Sequence, residues 1–297
     1  AMVLTLPSSA LEQYDERSEK ALSQLQKISG RVESIYTPVE GIEIYEIIRK
    51  RLFEDIGKQK IHKEVAQSFF SLYHDLGEDV PEKIRSTEYR DRIEKSYPFH
   101  PELIDCLYER WGSFSNFQRT RGTLRLLAEA LGQLYEDRFP SPVILSSMMP
   151  LSNTTVRREF LKYAGPEIDS LIAADIGNKG SRAPQIDKQM GSEYAKQNIA
   201  TSLATAVFLY SFSGSARKGL NIRELRVTIL KEGFPKTIVG DAVQKLEEEL
   251  WYFHASSGNY SFKNQANLNR VIVDTENQVK DTEVNDELES ILKKNTG

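Results

Sequence analysis

Apolar residues recur at intervals of three and four along most of the chain, a period that predicts amphipathic α-helices. The strongest stretch covers residues 40–56, where Ile44, Ile47, Ile48 and Leu52 recur between charged positions. Comparable patterns predict helices over residues 11–28, 63–76, 85–97, 101–111, 123–138 and 153–163. The pattern therefore predicts a mainly α-helical protein.

Two short extended segments precede most of these helices. Val3-Leu4-Thr5-Leu6-Pro7 is typical of a buried strand that ends at a proline, and residues 34–37 form a second such segment. A lone strand is unstable because its backbone hydrogen bonds need neighbours. We therefore expect its sheet partners to lie upstream in a longer protein.

The last third of the chain has an ordered succession of elements. Residues 199–212 are nearly all apolar and predict a buried helix, and Asn221-Ile222-Arg223-Glu224 is a capping box that begins the next helix. A third helix is predicted over residues 236–250. Two aromatic segments, 251–254 and 260–263, flank a Ser-Ser-Gly-Asn turn and predict a β-hairpin. Three helices followed by a hairpin are the order of a winged helix-turn-helix.

Composition excludes several classes of protein. The formal net charge of −4 and the pI near 5.8 give no general attraction to nucleic acid, so any such surface must be local. No apolar run is long enough to span a membrane. The single cysteine, Cys106, excludes an internal disulfide and suits a reducing cytoplasm, where we expect the protein to reside. Its position in an apolar helical pattern favours a buried, inert thiol, and the histidines lack metal-ligand spacing.

The sequence lacks a complete set of catalytic groups. It contains no G-x-x-x-x-G-K-[S/T] loop, and no apolar strand ends in paired acids that would hold magnesium. The polar glycine loop at residues 177–182 lacks the Gly-Lys-Ser/Thr that binds phosphate and magnesium. Phosphoryl-transfer chemistry would therefore need groups from another segment.

A cluster of arginines at residues 117–128 is the leading candidate for anion binding. Arg119, Arg121 and Arg125 stand at the predicted start of a helix, where guanidinium groups can bind phosphate. Thr123 is a candidate N-cap, and Gly122 would leave the helix N-terminus sterically open to an anion. The alternative is that these arginines form surface ion pairs, with Glu129 or Asp137 as partners.

A second basic segment lies within the predicted winged helix. Residues 217–236 include six basic residues and only two glutamates, so they could form a local phosphate-binding patch. The leading candidates are Arg217, Lys218, Arg223 and Arg226. The predicted recognition helix, however, carries Asp241 and the run 247–249 of glutamates, which DNA phosphates would repel. This charge pattern favours interaction with a protein, or docking within the chain itself, over direct reading of bases.

The order of elements resembles the latter portion of an AAA-plus ATPase core: a strand, a helix, an arginine, a helical bundle and a winged helix. The resemblance implies a sensor-one polar residue at the strand end, either Thr5 or Ser8, and an arginine finger at Arg31. It also implies a sensor-two arginine at Arg125, within Gly122-Thr123-Leu124-Arg125, with Arg119 and Arg121 as further candidates. The alternatives are turn-forming residues after a strand for Thr5 and Ser8, and a solvent-exposed side chain beside a helix C-terminus for Arg31.

Two longer sequence motifs indicate a particular family within the AAA-type ATPases. Ser96-Tyr97-Pro98-Phe99-His100-Pro101-Glu102-Leu103 and Phe117-Gln118-Arg119-Thr120-Arg121-Gly122 are similar to those of the family called domain of unknown function 499. Shorter matching stretches occur at residues 4–9, at 43–45 with 51–53, and at 260–262 with 267–269. Members are large predicted AAA-type ATPases, often encoded beside DNA methyltransferases in phage-defence or restriction-like clusters. The resemblance implies that ATP and Mg bind only together with an N-terminal, Walker-containing half. It also implies a homo-oligomer, DNA or a DNA methyltransferase as partners.

This resemblance gives a predicted organisation and two functional hypotheses. The predicted segments are a remnant of the AAA core over 1–39, a helical lid over 40–138, a connecting region over 139–198, a winged helix over 199–273 and an acidic tail over 274–297. The first hypothesis is the lid and winged-helix part of an ATPase that remodels DNA or a protein partner. The alternative is a nucleotide-independent winged-helix adaptor that binds protein or DNA.

Overall fold

The computed structural model describes residues 42–114, 116–138, 141–212, 217–231, 234, 237–279 and 281–296. The α-helices are α1 (Glu43–Leu52), α2 (Gln59–Leu76), α3 (Thr87–Ser96), α4 (Pro101–Asp105), α5 (Arg119–Glu136), α6 (Thr154–Ala164), α7 (Ile168–Asp175), α8 (Arg182–Gln189), α9 (Ser192–Gln197), α10 (Ile199–Ser211), α11 (Ile222–Ile229), α12 (Ile238–Glu249), α13 (Leu268–Gln278) and α14 (Asp281–Thr296). The strands are β1 (Leu220–Asn221), β2 (Phe253–Ser256) and β3 (Asn259–Phe262). The protein is therefore mainly helical, as predicted. The predicted strand at 3–7, the segment at 34–37 and the helix at 11–28 lie outside the described residues.

Several helices differ in extent from the pattern. The helix predicted over 101–111 is α-helical only to Asp105, and residues 106–110 continue it as a wider π-helical turn. Residues 143–145 contribute one isolated parallel bridge, between Ile144 and Phe99. The helices α7 and α8 were not predicted, because each is only eight residues long and lies in a segment interrupted by glycine and proline.

The three strands form a small antiparallel sheet in the order β1-β3-β2. Leu220 pairs with Tyr260, and Phe253 pairs with Phe262 across the hairpin. The predicted capping box at the start of α11 is present. The Asn221 side chain accepts from the Glu224 N–H at 3.0 Å, and Glu224 Oε2 accepts from the Asn221 N–H at 2.9 Å.

The helix α10 lies at the centre of the core, as its apolar sequence predicts. Eleven of its residues are buried, and it packs against α8, α11, α12 and β3. It also joins the sheet-containing part to the N-terminal helices. The Trp111 Nε1–H donates to the Leu209 carbonyl at 2.8 Å, and the Tyr210 hydroxyl donates to Glu102. One apolar cluster therefore extends from Ile44 to Phe262.

Among the helices of the described ranges, none is both long enough and apolar enough to cross a membrane.

Candidate functional site

The helix α5, which carries the arginine cluster, begins four residues earlier than the pattern suggests. Gln118 precedes it in the left-handed conformation, with φ of 56°, so the helix starts at Arg119. Thr123 is therefore inside the helix and fully buried, and the predicted N-cap role is wrong. Gly122 does not leave the helix start open. A Cβ at that position would lie 2.3 Å from the Phe117 carbonyl oxygen and 2.7 Å from its ring, so Gly122 permits close packing instead.

The three arginines of α5 are exposed but have different partners. The Arg119 guanidinium lies 5.9 Å from the ring centre of Tyr108. The Arg121 Nη1–H donates to Gln118 Oε1 at 3.0 Å. The side chain of Arg125 is 47% exposed, and its Nη1 lies 3.6 Å from Glu159 Oε2. The ion-pair interpretation had named Glu129 or Asp137, whereas the partner in space is an acid on α6.

Glu159 is the acid that contacts the basic side chains on the surface between α5 and α6. Its side chain is only 9% exposed, and it also binds the Lys162 ammonium group one turn later on α6. At 3.6 Å the contact between Arg125 and Glu159 is an ion pair longer than a hydrogen bond, so it leaves the N–H donors of Arg125 available to another acceptor. We call the surface formed by Arg121, Arg125 and Lys162 the α5–α6 basic face. Its free N–H groups could donate to a phosphate or a carboxylate.

Acidic residues pair with two of the four basic residues that were candidates for binding nucleic acid or a partner. Arg217 makes two hydrogen bonds to the Glu224 carboxylate, at 2.9 and 2.7 Å. Arg226 Nη1 bonds to Asp79 Oδ1 at 2.8 Å. Partial burial, with a further contribution from the charge of Arg110, lowers the pKa of Lys218. Arg223 and Lys218 are exposed, and neither side chain makes a hydrogen bond or ion pair with the described residues.

The exposed side of α12 is acidic, as its sequence indicates. Asp241, Glu247 and Glu248 are exposed, and Lys245 bonds to Glu248 at 3.1 Å. Glu249 pairs with Arg182 of α8 at 2.5 Å. The side of the helix that a DNA backbone would approach therefore offers mostly negative charge.

Three site residues predicted from the resemblance, Thr5, Ser8 and Arg31, lie outside the described residues. Within the part of the chain that the structure describes, no group of three or more His, Cys, Asp or Glu residues could hold a metal ion.

The motif at residues 96–105 forms a polar network that sequence reasoning did not identify. Glu102 accepts hydrogen bonds from the Tyr89 hydroxyl at 3.2 Å and from the Tyr210 hydroxyl at 3.1 Å. Asp105 pairs with Arg92 at 2.5 Å and accepts from the Tyr45 hydroxyl at 2.7 Å. The polar residues of this motif therefore join α1, α3, α4 and α10. These tyrosines stand at buried positions of their helices, and the sequence pattern does not show which acid their hydroxyl groups reach.

Burial dominates the protonation chemistry of this network. It raises the pKa values of Asp105 and of the Cys106 thiol, so Cys106 is the buried, unreactive thiol that was predicted. Burial, assisted by the charge of Arg92, lowers the pKa of His100 to about 3, so its imidazole is neutral. These properties indicate a structural network.

Comparison with known proteins gives one match. The family model described as DUF499 second domain matches residues 40–229, from just before α1 to the last residue of α11. The match includes the polar network and the α5–α6 basic face, whereas α12, the hairpin and the two C-terminal helices lie beyond it. Neither the curated proteins nor the solved structures include a significant match. Because the matched region covers more than half of the sequence, the chain belongs to the DUF499 family.

Proposed function

We propose that this chain is the lid and winged-helix portion of an AAA-type ATPase that remodels DNA or a protein partner. The observation that carries the proposal is the α5–α6 basic face, where Arg121 and Arg125 stand one helical turn apart. Arg125 forms an ion pair with the buried Glu159 and still has N–H groups that are free to bind a phosphate. In phosphoryl transfer, a positioned arginine stabilises charge on the transferred phosphate.

The order of elements from α10 to β3 supports the winged-helix part of the proposal. Helix α10 precedes β1, helices α11 and α12 follow, and the hairpin returns so that β3 lies between β1 and β2. A winged helix-turn-helix has this succession. The elements from α10 to β3 share one apolar core with α4 and α5. A movement of the lid helices would therefore also move the winged helix.

The α5–α6 basic face fits a phosphate group but not its magnesium ion. Arg121, Arg125 and Lys162 supply cations only, and the described residues include no cluster of metal ligands. ATP and Mg would therefore be bound mainly by an N-terminal, Walker-containing half, and Arg125 would contact the phosphates as the lid closes. Arg31, Thr5 and Ser8 remain candidates for the trans-acting finger and the sensor-one position. A role in phage defence beside a DNA methyltransferase rests on the resemblance to the family.

Steady-state ATP hydrolysis by the protein that joins this chain to its Walker-containing half tests the proposal. Arg125→Ala should lower kcat by at least about a hundredfold, as loss of a transition-state cation does. Arg51→Ala, which removes an exposed arginine from α1, is the matched control and should leave turnover unchanged. Equal turnover in the two variants would remove Arg125 from the site, and no turnover in the parent would reject the ATPase proposal.

The acidic surface of α12 favours a second candidate, a nucleotide-independent adaptor whose winged helix binds a protein. Asp241, Glu247 and Glu248 would repel DNA, whereas they suit a basic protein surface. DNA binding at low salt, measured by fluorescence anisotropy, separates the two types of ligand. A DNA-binding winged helix should show affinity that falls with salt and drops on Arg223→Ala. Absence of binding at low salt would leave protein as the ligand.

A further inference from the structure

The C-terminal helix α14 carries an apolar stripe that is open to solvent. Val284, Leu288 and Ile291 follow one another at spacings of four and three, so they share one face of the helix. Their exposed fractions are 45%, 52% and 45%, and none belongs to the apolar core. Such a stripe on a surface helix is typical of an interface with another helix.

The spacing of the three apolar residues defines a heptad register for α14, and this register identifies the charged residues that flank the stripe. If Leu288 occupies position a of a heptad, Val284 and Ile291 occupy position d, and Glu287 and Lys294 both occupy position g. Both of these charged side chains are exposed. Residues at g decide which helix pairs with which, because they lie next to the partner at the edge of the interface.

The charges at position g fit a second copy of the same helix in the antiparallel orientation. In that orientation Leu288 packs against Ile291 of the second copy, and g positions lie beside g positions. Glu287 then meets Lys294 of the second copy, and the symmetry gives this ion pair twice. In a parallel pair, Glu287 would lie beside Leu292 of the second copy, which offers no positive charge.

We propose that α14 is a self-association element, through which two copies of this chain form an antiparallel helix pair. The contact buries Leu288 and Ile291 from both copies, and the two pairs between Glu287 and Lys294 set its orientation. It lies outside the family match, on a helix distinct from those of the α5–α6 basic face, and does not depend on nucleotide.

Sedimentation equilibrium of the 297-residue chain over a wide concentration range tests this proposal. The unmodified chain should show a monomer–dimer equilibrium. Leu288→Arg should raise the dimer dissociation constant at least about a hundredfold, because it places charge at the centre of the apolar stripe. Since Leu288 is exposed in the monomer, its circular dichroism spectrum should be unchanged.

A charge swap tests the orientation. Glu287→Lys alone and Lys294→Glu alone should each weaken the dimer about tenfold, since each replaces two attractions with two repulsions. The double variant carrying both substitutions should return to within about threefold of the parent. Lys293→Glu makes the same charge change at an outward position and is the matched control.

Three results would overturn the proposal. A chain that stays monomeric at the highest soluble concentration would reject self-association through α14. A dimer that resists Leu288→Arg would place the interface elsewhere. Single charge reversals without effect, or a double variant that is not restored, would reject the antiparallel pairing.

Discussion

Arg226 and Asp79 lie 147 residues apart in the chain, yet Arg226 Nη1 donates to Asp79 Oδ1 at 2.8 Å. The same nitrogen also donates to the Asp79 carbonyl at 3.1 Å. Asp79 follows α2, whereas Arg226 is on α11. The pair therefore connects the predicted winged helix to the N-terminal helices. Because Asp79 neutralises the guanidinium of Arg226, this arginine contributes little positive charge to a DNA-binding surface.

Removal of this pair should weaken the fold modestly. Arg226→Ala and Asp79→Ala should each lower the free energy of unfolding by about 1 kcal/mol, because the pair is only partly buried and solvent screens it. Urea denaturation measures the change, and the double variant should show a coupling of about 0.5–1 kcal/mol. Arg223→Ala, an exposed arginine on the same helix, should have almost no effect. If the two arginine variants were equally stable, the pair would contribute nothing.

Gly122 and Gly132 offer a matched test of the packing of α5. Gly122→Ala should lower the free energy of unfolding by about 1–3 kcal/mol, because its Cβ would clash with the Phe117 carbonyl and ring. Gly132→Ala should instead raise it by about 0.5–1 kcal/mol, since nothing lies within 4 Å and alanine favours the helix. Thermal unfolding of the two variants gives opposite shifts in Tm. Shifts of the same sign would contradict the close approach at Gly122.

The features that sequence reasoning predicted well are local ones. The capping box of Asn221 and Glu224, the buried helix α10 and the hairpin all follow from residues within a few positions of one another. Hydrophobic periodicity and turn residues predict such features, because the interactions that form them are made by residues of the same short segment.

The partners of the charged residues could not be predicted in the same way. Arg125 was identified as a candidate, but its partner Glu159 comes from another helix and is set by how α5 packs on α6. The start of α5 was misplaced because a left-handed Gln118 and the contact of Gly122 with Phe117 decide it, and neither leaves a periodic signal. The hydroxyl groups of Tyr89 and Tyr210 were hidden by their apolar positions, although they meet at Glu102.

The pH dependence of stability should carry a contribution from Asp175. Its buried carboxylate accepts the backbone N–H groups of Trp251 and Tyr252 at 3.0 and 2.9 Å. Burial raises its pKa from 3.8 to about 6, so between these values the folded state binds more protons than the unfolded state. The free energy of unfolding from this group therefore falls as pH rises from about 4 to 6, by on the order of 1–3 kcal/mol.

Asp175→Asn isolates this contribution, because an amide does not titrate. The variant should be less stable overall, since it can accept only one of the two N–H groups. The difference in unfolding free energy between parent and variant, followed by urea denaturation at several pH values, should become smaller at pH 7 than at pH 4. Other buried carboxyl groups, such as Asp187, cancel in this difference. A difference that is constant with pH would contradict the raised pKa.

The contact between Tyr73 and His100 predicts the protonation state of a buried imidazole. The Glu102 N–H donates to His100 Nδ1, so His100 Nε2 carries the proton and donates to the Tyr73 hydroxyl at 3.0 Å. Tyr73→Phe leaves this buried N–H without an acceptor and should lower the free energy of unfolding by about 1–3 kcal/mol. Tyr135→Phe is the control, because that side chain is 86% exposed, and it should change nothing.

The same imidazole should stay neutral in the folded protein over the physiological range. Burial lowers the pKa of His100 from 6.5 to about 3, so the unfolded state binds a proton in this interval and the folded state does not. Its contribution to stability is therefore complete above pH 6.5 and is lost as pH falls towards 3. In a ¹H–¹⁵N NMR titration, the ring signals of His100 should not shift above about pH 5, because its imidazole stays neutral there. A His100 signal that titrates near 6.5, the ordinary histidine value, would show that the ring reaches solvent, and would contradict the buried network around Tyr73 and Glu102.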